Sequence, residues 1–326
     1  MFAYFALGLG YLGLRHLVWP NLDDWRPRIE QALSDAAGRA VSVGRIQPGF
    51  EGLLPRLTID GVTVPGDDGV PLLRAERVTA VLSFRALLSG EIGLSVLQVE
   101  APRLTVERLD AQRLRVGGFE VRLDAPDDGR ASRWLMSQRS VLIHDARVDW
   151  IDRVTGRSQR VDGIDLSLGN VGRRHRGVLR VGAVPAMFAG LDAVYEFDRA
   201  PRSRHADWTR WRGEAFAAVE SADTAGIAAA TGRVLPLLAG RGDARVWVGF
   251  DGGRIDDAVV KLAATDLAAR SDAGRIELAD LALDARARRV DVGYDVRVLA
   301  LEARDRGGFR LRAQWRAEMA NRMGLD

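Results

Sequence analysis

The spacing of apolar residues changes character twice along the chain. From Phe2 to Leu14 there is no charge, and after Arg15 and His16 the apolar run resumes with Leu17, Val18 and Trp19 before Pro20 stops it. At 1.5 Å per residue, about eighteen residues reach ~27 Å, close to a hydrocarbon core of ~30 Å. Residues 1–20 are therefore expected to form a single membrane anchor, with Arg15 snorkelling to the headgroups and Trp19 in the interfacial belt. A signal peptide and a buried helix are the rivals. The signal peptide wants a basic start and a small-residue cleavage site, and neither is visible. Gly8, Gly10 and Gly13 give a literal G-x-G-x-x-G. A dinucleotide site needs a strand before that motif and a helix and second strand after it, so small residues of a membrane helix account for it better.

Residues 21–38 read as an amphipathic helix. Asn21 or Asp23 caps it, Trp25, Ile29, Ala32, Leu33 and Ala36 recur at three- and four-residue spacing, and Gly38 ends it. Beyond Arg39 the period drops to two. Leu57 and Ile59, Val62 and Val64, Val78 to Phe84, Leu104 to Val106, Leu114 to Val116, Phe119 to Leu123, Val141 to Trp150 and Ile164 to Leu168 alternate apolar with polar. The pattern returns in Val194 to Phe197, Arg245 to Phe250, Val259 to Leu262, Ile276 to Leu283, Val290 to Val298 and Phe309 to Trp315. This predicts about fifteen to eighteen strands.

The steps Asp60-Gly61, Asp68-Gly69, Asp128-Gly129, Asp162-Gly163, Asp251-Gly252-Gly253 and Gly307-Gly308 read as hairpin turns, which favours an antiparallel arrangement. Short helical patterns interrupt the strands at 85–89, 131–138 and 223–238. The expected fold is mainly β: a transmembrane helix, an amphipathic helix, then a long antiparallel curved sheet over 39–326 with a few short helices. A barrel, a sandwich, an outer-membrane barrel and an open sheet with an apolar floor all satisfy the alternation.

Composition narrows the chemistry more than the fold. The 326 residues are 47% hydrophobic and 28% charged, a balance that buries a core and argues against wholesale disorder. There is no cysteine, which removes disulfides, thiolate metal sites and cysteine nucleophiles. Basic and acidic groups number 47 and 44, giving a net charge of +3, and Lys261 is the only lysine. The bases alternate with acids instead of forming a block, so no nucleic-acid partner is expected. Arg173 to Arg176 is the densest basic spot and reads as a solvated loop.

The four histidines, His16, His144, His175 and His205, share no metal-ligand spacing, and no nucleophile-elbow, P-loop or zincin motif occurs. The acidic pairs Asp23-Asp24, Asp67-Asp68, Asp127-Asp128 and Asp256-Asp257 fit turns and helix starts. His144 and Asp145 are neighbours in a strand and so point to opposite faces. No enzyme, cofactor or metal is expected.

Several blocks carry a family resemblance. Trp19-Pro20 with Trp25, Arg26 and Pro27, then Val41 to Ile46 around Gly44, then Leu53 to Leu57, resemble the start of the YhdP-type members of the AsmA-like proteins. Trp134 to Gln138 followed by Val141 to Trp150 with Asp145, and Gly242 to Trp247 followed by Asp251, Gly252, Gly253 and Arg254, resemble the same family. The blocks lie between about residues 7 and 270 and are most specific in their order and spacing.

The resemblance implies an inner-membrane protein with one amino-terminal anchor and a periplasmic body of repeating β-groove units, similar to bridge-like lipid-transfer proteins. The groove would take phospholipid acyl chains, and no catalytic residue carries over. Members of the family are typically longer, so the chain is expected to be a membrane-proximal portion truncated at its carboxyl end. At ~4.8 Å per strand, sixteen strands would span about 75 Å. Alternation nominates Leu57, Ile59, Val78, Ala80, Leu82, Val121, Val148, Trp150, Leu166, Val246 and Val248 as groove-lining residues, each of which would serve equally well in an ordinary core. The alternative function is an envelope scaffold that recruits a protein partner through a sheet edge.

Overall fold

The computed structural model describes residues 26–37, 40–66, 71–83, 93–117, 119–122, 136–199, 210–231, 237–271, 274–291 and 293–320. The expected anchor at 1–20, the glycine motif within it, the start of the amphipathic helix and the helical pattern at 85–89 lie outside these residues. Among the described residues no helix is long and apolar enough to cross a membrane. The chain divides into two compact units, one comprising 1–126 and 137–154 and the other 127–136 and 155–326.

The first unit opens with helix α1 (Arg26–Ala37) and contains strands β1 (Ile46–Glu51), β2 (Leu54–Pro65), β3 (Pro71–Leu82), β4 (Leu94–Glu100), β5 (Arg103–Arg108), β6 (Arg113–Val116), β7 (Phe119–Arg122) and β8 (Ser140–Asp152). Helix α1 forms within the expected 21–38 stretch, with Ile29 half-buried and Leu33 exposed at 36%. Ile29 packs on a cluster of Val41, Val43, Ile46, Ile59 and Val64, and the polar edge of the helix ties down the next segment. The Val41 amide donates to Ser34 Oγ and the Val43 amide to Glu30 Oε1, each at 2.8 Å.

Strands β1, β2, β3 and β4 pair antiparallel in sequence order. The expectation of an entirely antiparallel sheet fails at β8, which runs parallel to β4 and β5. The reason is the connection: β5 and β8 are joined by a long excursion through β6 and β7, not by a tight hairpin, and a long crossover permits parallel pairing. β4 and β5 behave as one strand bent at Ala101. Leu97 stands opposite Val141 and Arg108 opposite Asp152 with the same offset throughout. Ala101 (φ 46°) and Asp145 (φ 50°) occupy matching positions at the bend.

The second unit is a nine-stranded antiparallel meander: β9 (Arg157–Val171), β10 (Arg174–Val181), β11 (Gly190–Arg199), β12 (Trp211–Asp223), β13 (Leu237–Asp251), β14 (Arg254–Ser271), β15 (Gly274–Val290), β16 (Gly293–Asp305) and β17 (Arg310–Ala320). Each strand pairs with its sequence neighbour. β9 and β17 do not pair with each other, so among the described residues this sheet is open and no barrel closes. An Ala-rich helix, α2 (Thr224–Thr231), lies across one end and packs on β13, β12 and β9. It is shorter than the pattern at 223–238 suggests, because Leu237 already belongs to β13. Asp223 caps it by accepting the Gly226 amide at 2.9 Å.

Two of the expected turns are not turns. Asp60-Gly61 lies inside β2 and Asp162-Gly163 inside β9, whereas the steps at 251–253 and 307–308 do connect strands. Gly61 (φ 71°) and Gly163 (φ 65°) instead break the pleat in mid-strand. Ile59 and Val64 therefore bury in the same cluster although strict alternation would send them to opposite faces. Ser221 (φ 49°) and Asp266 (φ 50°) mark the same kind of irregularity in β12 and β14. The strand expected over 290–298 is also interrupted, with β15 ending at Val290 and β16 starting at Gly293.

Candidate functional site

In the second unit, registry sorts the side chains into two unlike faces. Residues directly opposite in an antiparallel pair share a face. Leu166 faces Leu179, which faces Ala193, which faces Ala217, then Val246, Val260 and Ala285. Ala285 continues to Val298 and Trp315. One unbroken apolar row thus crosses all nine strands. The neighbouring row is apolar through Tyr195, Ala215, Val248, Ala258 and Ala287.

Most of these side chains are half-buried, and Leu311 and Trp315 on β17 are exposed, Trp315 at 49%. A sandwich would bury such a face under a second sheet. Here, among the described residues of this unit, no second sheet stacks on the strands, and the eight-residue α2 packs on β13, β12 and β9.

The opposite face is charged and laced with ion pairs between adjacent strands. Arg286 binds Asp257 through two 3.0 Å hydrogen bonds, Lys261 meets Asp284 at 3.3 Å, Arg312 meets Glu302 at 3.2 Å, and Arg304 binds Asp280. Asp295 is held below the usual carboxylate range by its hydrogen bond to Arg316, with Arg297 adding to the effect. A depression of about 620 Å³ opens beside these groups, lined among others by Arg241, Asp243, Asp280, Glu302, Arg304 and Arg310. Its mixed, largely paired charges suit solvent better than an acyl chain.

The nominated groove residues fall into sets that share faces. Leu57 stands opposite Ala80 and Ile59 opposite Val78, with Leu82 two residues beyond Ala80. Ile59 itself is buried in the cluster under α1, so its side chain serves the core of the first unit. Val148 stands opposite Leu104 and Trp150 opposite Val106. Val121 is opposite Leu114 in the β6–β7 hairpin. Leu166, Val246 and Val248 lie on the apolar face of the second unit.

Among the family-motif positions, Arg26 and Pro27 open α1, while Trp25 and Trp134 lie outside the described residues. Gly44 donates its amide to the Asp60 carbonyl at 3.0 Å, and a Cβ there would come within 2.5 Å of that oxygen. Asp145 sits at the bend of β8. Gly252 lies in the β13–β14 turn, and Trp247 lies on the charged face against Phe216, ring centroids 4.9 Å apart.

One local reading needs correction. Arg173 to Arg176 is not a solvated loop: Arg174 to Arg176 begin β10, where Arg174 and Arg176 pair with acids of β11 while His175 turns to the apolar face. His175 is 2% exposed, stacks on Phe197 at 4.9 Å and holds Asn170 Oδ1 at 2.7 Å. His144 and Asp145 are both exposed, and Asp145 sits at the bend of β8 with φ 50°. Among the described residues no three His, Asp or Glu side chains are grouped as metal ligands would be. Sequence reasoning also missed the stack of His175, Phe197 and Trp211. The signal was the alternation of Tyr195 and Phe197, read only as strand pattern.

The architecture defines a class: a mainly β protein built on long sheets, in which, among the described residues, an amphipathic sheet is open and its apolar face is uncovered. The chain belongs to the YhdP family, whose family model, described as YhdP protein, matches residues 1–324. No curated protein matches it.

Proposed function

We propose that the chain is the membrane-proximal segment of an envelope lipid-transfer protein, and that its apolar face takes the acyl chains of phospholipid for movement between the inner and outer membranes. The observation that carries this reading is the apolar row running from Leu166 on β9 to Trp315 on β17, half-exposed along most of its length. An apolar surface of that extent that the described residues leave uncovered marks a binding site. Acyl chains suit it because they ask only for desolvation: at ~0.8 kcal/mol per buried CH₂, two chains of about fourteen carbons contribute about 20 kcal/mol gross when fully buried. No cofactor, metal or catalytic residue enters this reading.

In the same reading, residues 1–20 anchor the protein once in a bacterial inner membrane, with the sheet in the periplasm and the lipid bilayer as its main partner. Native mass spectrometry of the full chain after mild detergent extraction tests it. Phospholipid should co-purify, and its complete absence would overturn the proposal.

One observation favours the scaffold alternative. β17 is paired on one side only among the described residues, and Phe309, Leu311 and Trp315 are exposed on or beside it. That edge would accept a partner strand by main-chain hydrogen bonding. Crosslinks to another envelope protein from β17 positions, with no lipid on the apolar face, would favour it over lipid transfer.

A further inference from the structure

The charged face of the second unit carries an apolar row of its own. Val178 on β10 stands opposite Val194 on β11, Val194 opposite Phe216 on β12, Phe216 opposite Trp247 on β13, and Trp247 opposite Val259 on β14. Five adjacent strands thus place an apolar side chain at the same level of a face that is otherwise polar. Val194 is 43% exposed and Trp247 39%. A single exposed valine needs no explanation, but a registered row of five with two aromatic rings at its centre does.

The rows on either side of this stripe have opposite charge near its centre. Towards one end of the strands the flanking positions on β12, β13 and β14 are Glu214, Gly249 and Asp257. Towards the other end they are Ala218, Arg245 and Lys261. On β10 and β11 the first flank carries Arg176 and Glu196 and the second Arg180 and Asp192, each pair joined within its own flank at 2.8 and 3.6 Å. Neither Glu214 nor Arg245 makes an ion pair with a described residue, unlike most charges of this face.

We infer that this stripe is a self-association surface, and that a second copy of the chain packs its own stripe against it about a two-fold axis running along the row. Rotation about that axis exchanges the two flanks. At β12 to β14 the acidic flank of one copy then lies over the basic flank of the other: Glu214, which has no ion pair of its own, reaches diagonally to the second copy's equally unpaired Arg245 over the space left by Gly249, while Asp257 and Lys261, each already paired within its own sheet, stack over one another. Each contact occurs twice by symmetry. The two sheets lie with their strands aligned, the ordinary geometry of sheet-on-sheet packing. A bilayer surface would not select a stripe with an acidic flank, and a helix of another protein would have no reason to meet two oppositely charged flanks that fit each other.

Five strands at ~4.8 Å and three rows at ~6.8 Å make a patch of about 490 Å² per copy. That is below the ~800 Å² per partner of a standard interface, so the dimer is weak and forms at high local concentration. The stripe is on the face opposite the proposed lipid surface, so lipid binding and pairing are independent.

The natural absence of cysteine makes the test clean. On the two-fold axis every stripe residue meets its own counterpart, so Val194→Cys in the full chain should give a disulfide-linked dimer on mild oxidation in native membranes. Ile276→Cys, equally exposed at 47% but away from the stripe, should not. Adding Glu214→Arg to Val194→Cys should lower the crosslinked fraction about tenfold, and adding Arg245→Glu as well should restore it. Circular dichroism of each variant verifies folding, which these exposed positions should leave intact. Crosslinking that ignores the charge swap, equal crosslinking at Ile276, no crosslinking at Val194, or an adduct with a mass other than twice the chain would each overturn the inference.

Discussion

Val246 is the position at which the lipid reading is most exposed to refutation. It lies in the middle of the nine-stranded apolar face, between Ala217 on β12 and Val260 on β14. An acyl chain lying across the strands passes over one floor residue per strand, and a spacing of ~4.8 Å corresponds to about four methylenes. With half of their surface against an open floor, these methylenes contribute about 1.6 kcal/mol at ~0.8 kcal/mol per CH₂. Val246→Asp removes that contribution and adds the cost of drawing water from a carboxylate. Lipid retention should therefore fall at least tenfold.

The fold itself should lose only about 1–2 kcal/mol, because Val246 is half-buried. Arg245→Asp provides the control, since adjacent strand residues point to opposite faces and the same charge one residue away should leave lipid untouched. The assay is native mass spectrometry or quantitative lipid extraction of both variants, with thermal melts alongside. Equal retention in both variants, or equal loss in both, would refute the assignment of this face.

Gly177 lies beneath the Tyr195 ring, where an added Cβ would come within 2.2 Å of a ring carbon. Gly177→Ala should cost about 1–3 kcal/mol in thermal or urea unfolding, and Tyr195→Ala in the same chain should recover most of it if the clash is the cause. At Gly61, φ of 71° excludes a β-branched residue, so Gly61→Val should cost about 2 kcal/mol and lower Tm by several degrees, and an unchanged melt would remove the mid-strand break as a constraint.

Glu107 is 7% exposed and held below its ordinary value of 4.5, chiefly by the hydrogen bond from Arg153 and secondarily by Arg115. A depressed folded value means that its contribution is complete above about pH 4.5 and is lost as the pH falls through the lower folded value. Urea midpoints of wild type and Glu107→Gln should therefore differ by a constant amount between pH 5.5 and 7 and converge in more acid solution. A gap that persists there would exclude the ion pair as its source.

Much of the local structure was legible in the residues. Period-two alternation locates nearly every strand, and Ile29 marks the side of α1 that packs on the cluster, because side-chain direction along one element depends only on its own backbone geometry. The nominated residues Leu166, Val246 and Val248 share a face because each was drawn from the apolar half of its strand. The same reasoning misread Asp60-Gly61 and Asp162-Gly163. A glycine at positive φ serves a turn and a mid-strand break equally well, and only the partner strand distinguishes them. It also placed Arg173 to Arg176 in solvent, since a run of bases gives no hint that His175 has Phe197 and Asn170 waiting on the neighbouring strands.

The sequence by itself determined that this chain would be mainly β, with strands apolar on one side, because that information is stored in neighbours two residues apart. Only the tertiary structure decided that β8 runs parallel to β4 and β5. It also decided that the meander stays open among the described residues and that Val178, Val194, Phe216, Trp247 and Val259 line up on the charged face. Those outcomes depend on register between strands, which is set by contacts across tens of residues and leaves no mark on the spacing within any one strand.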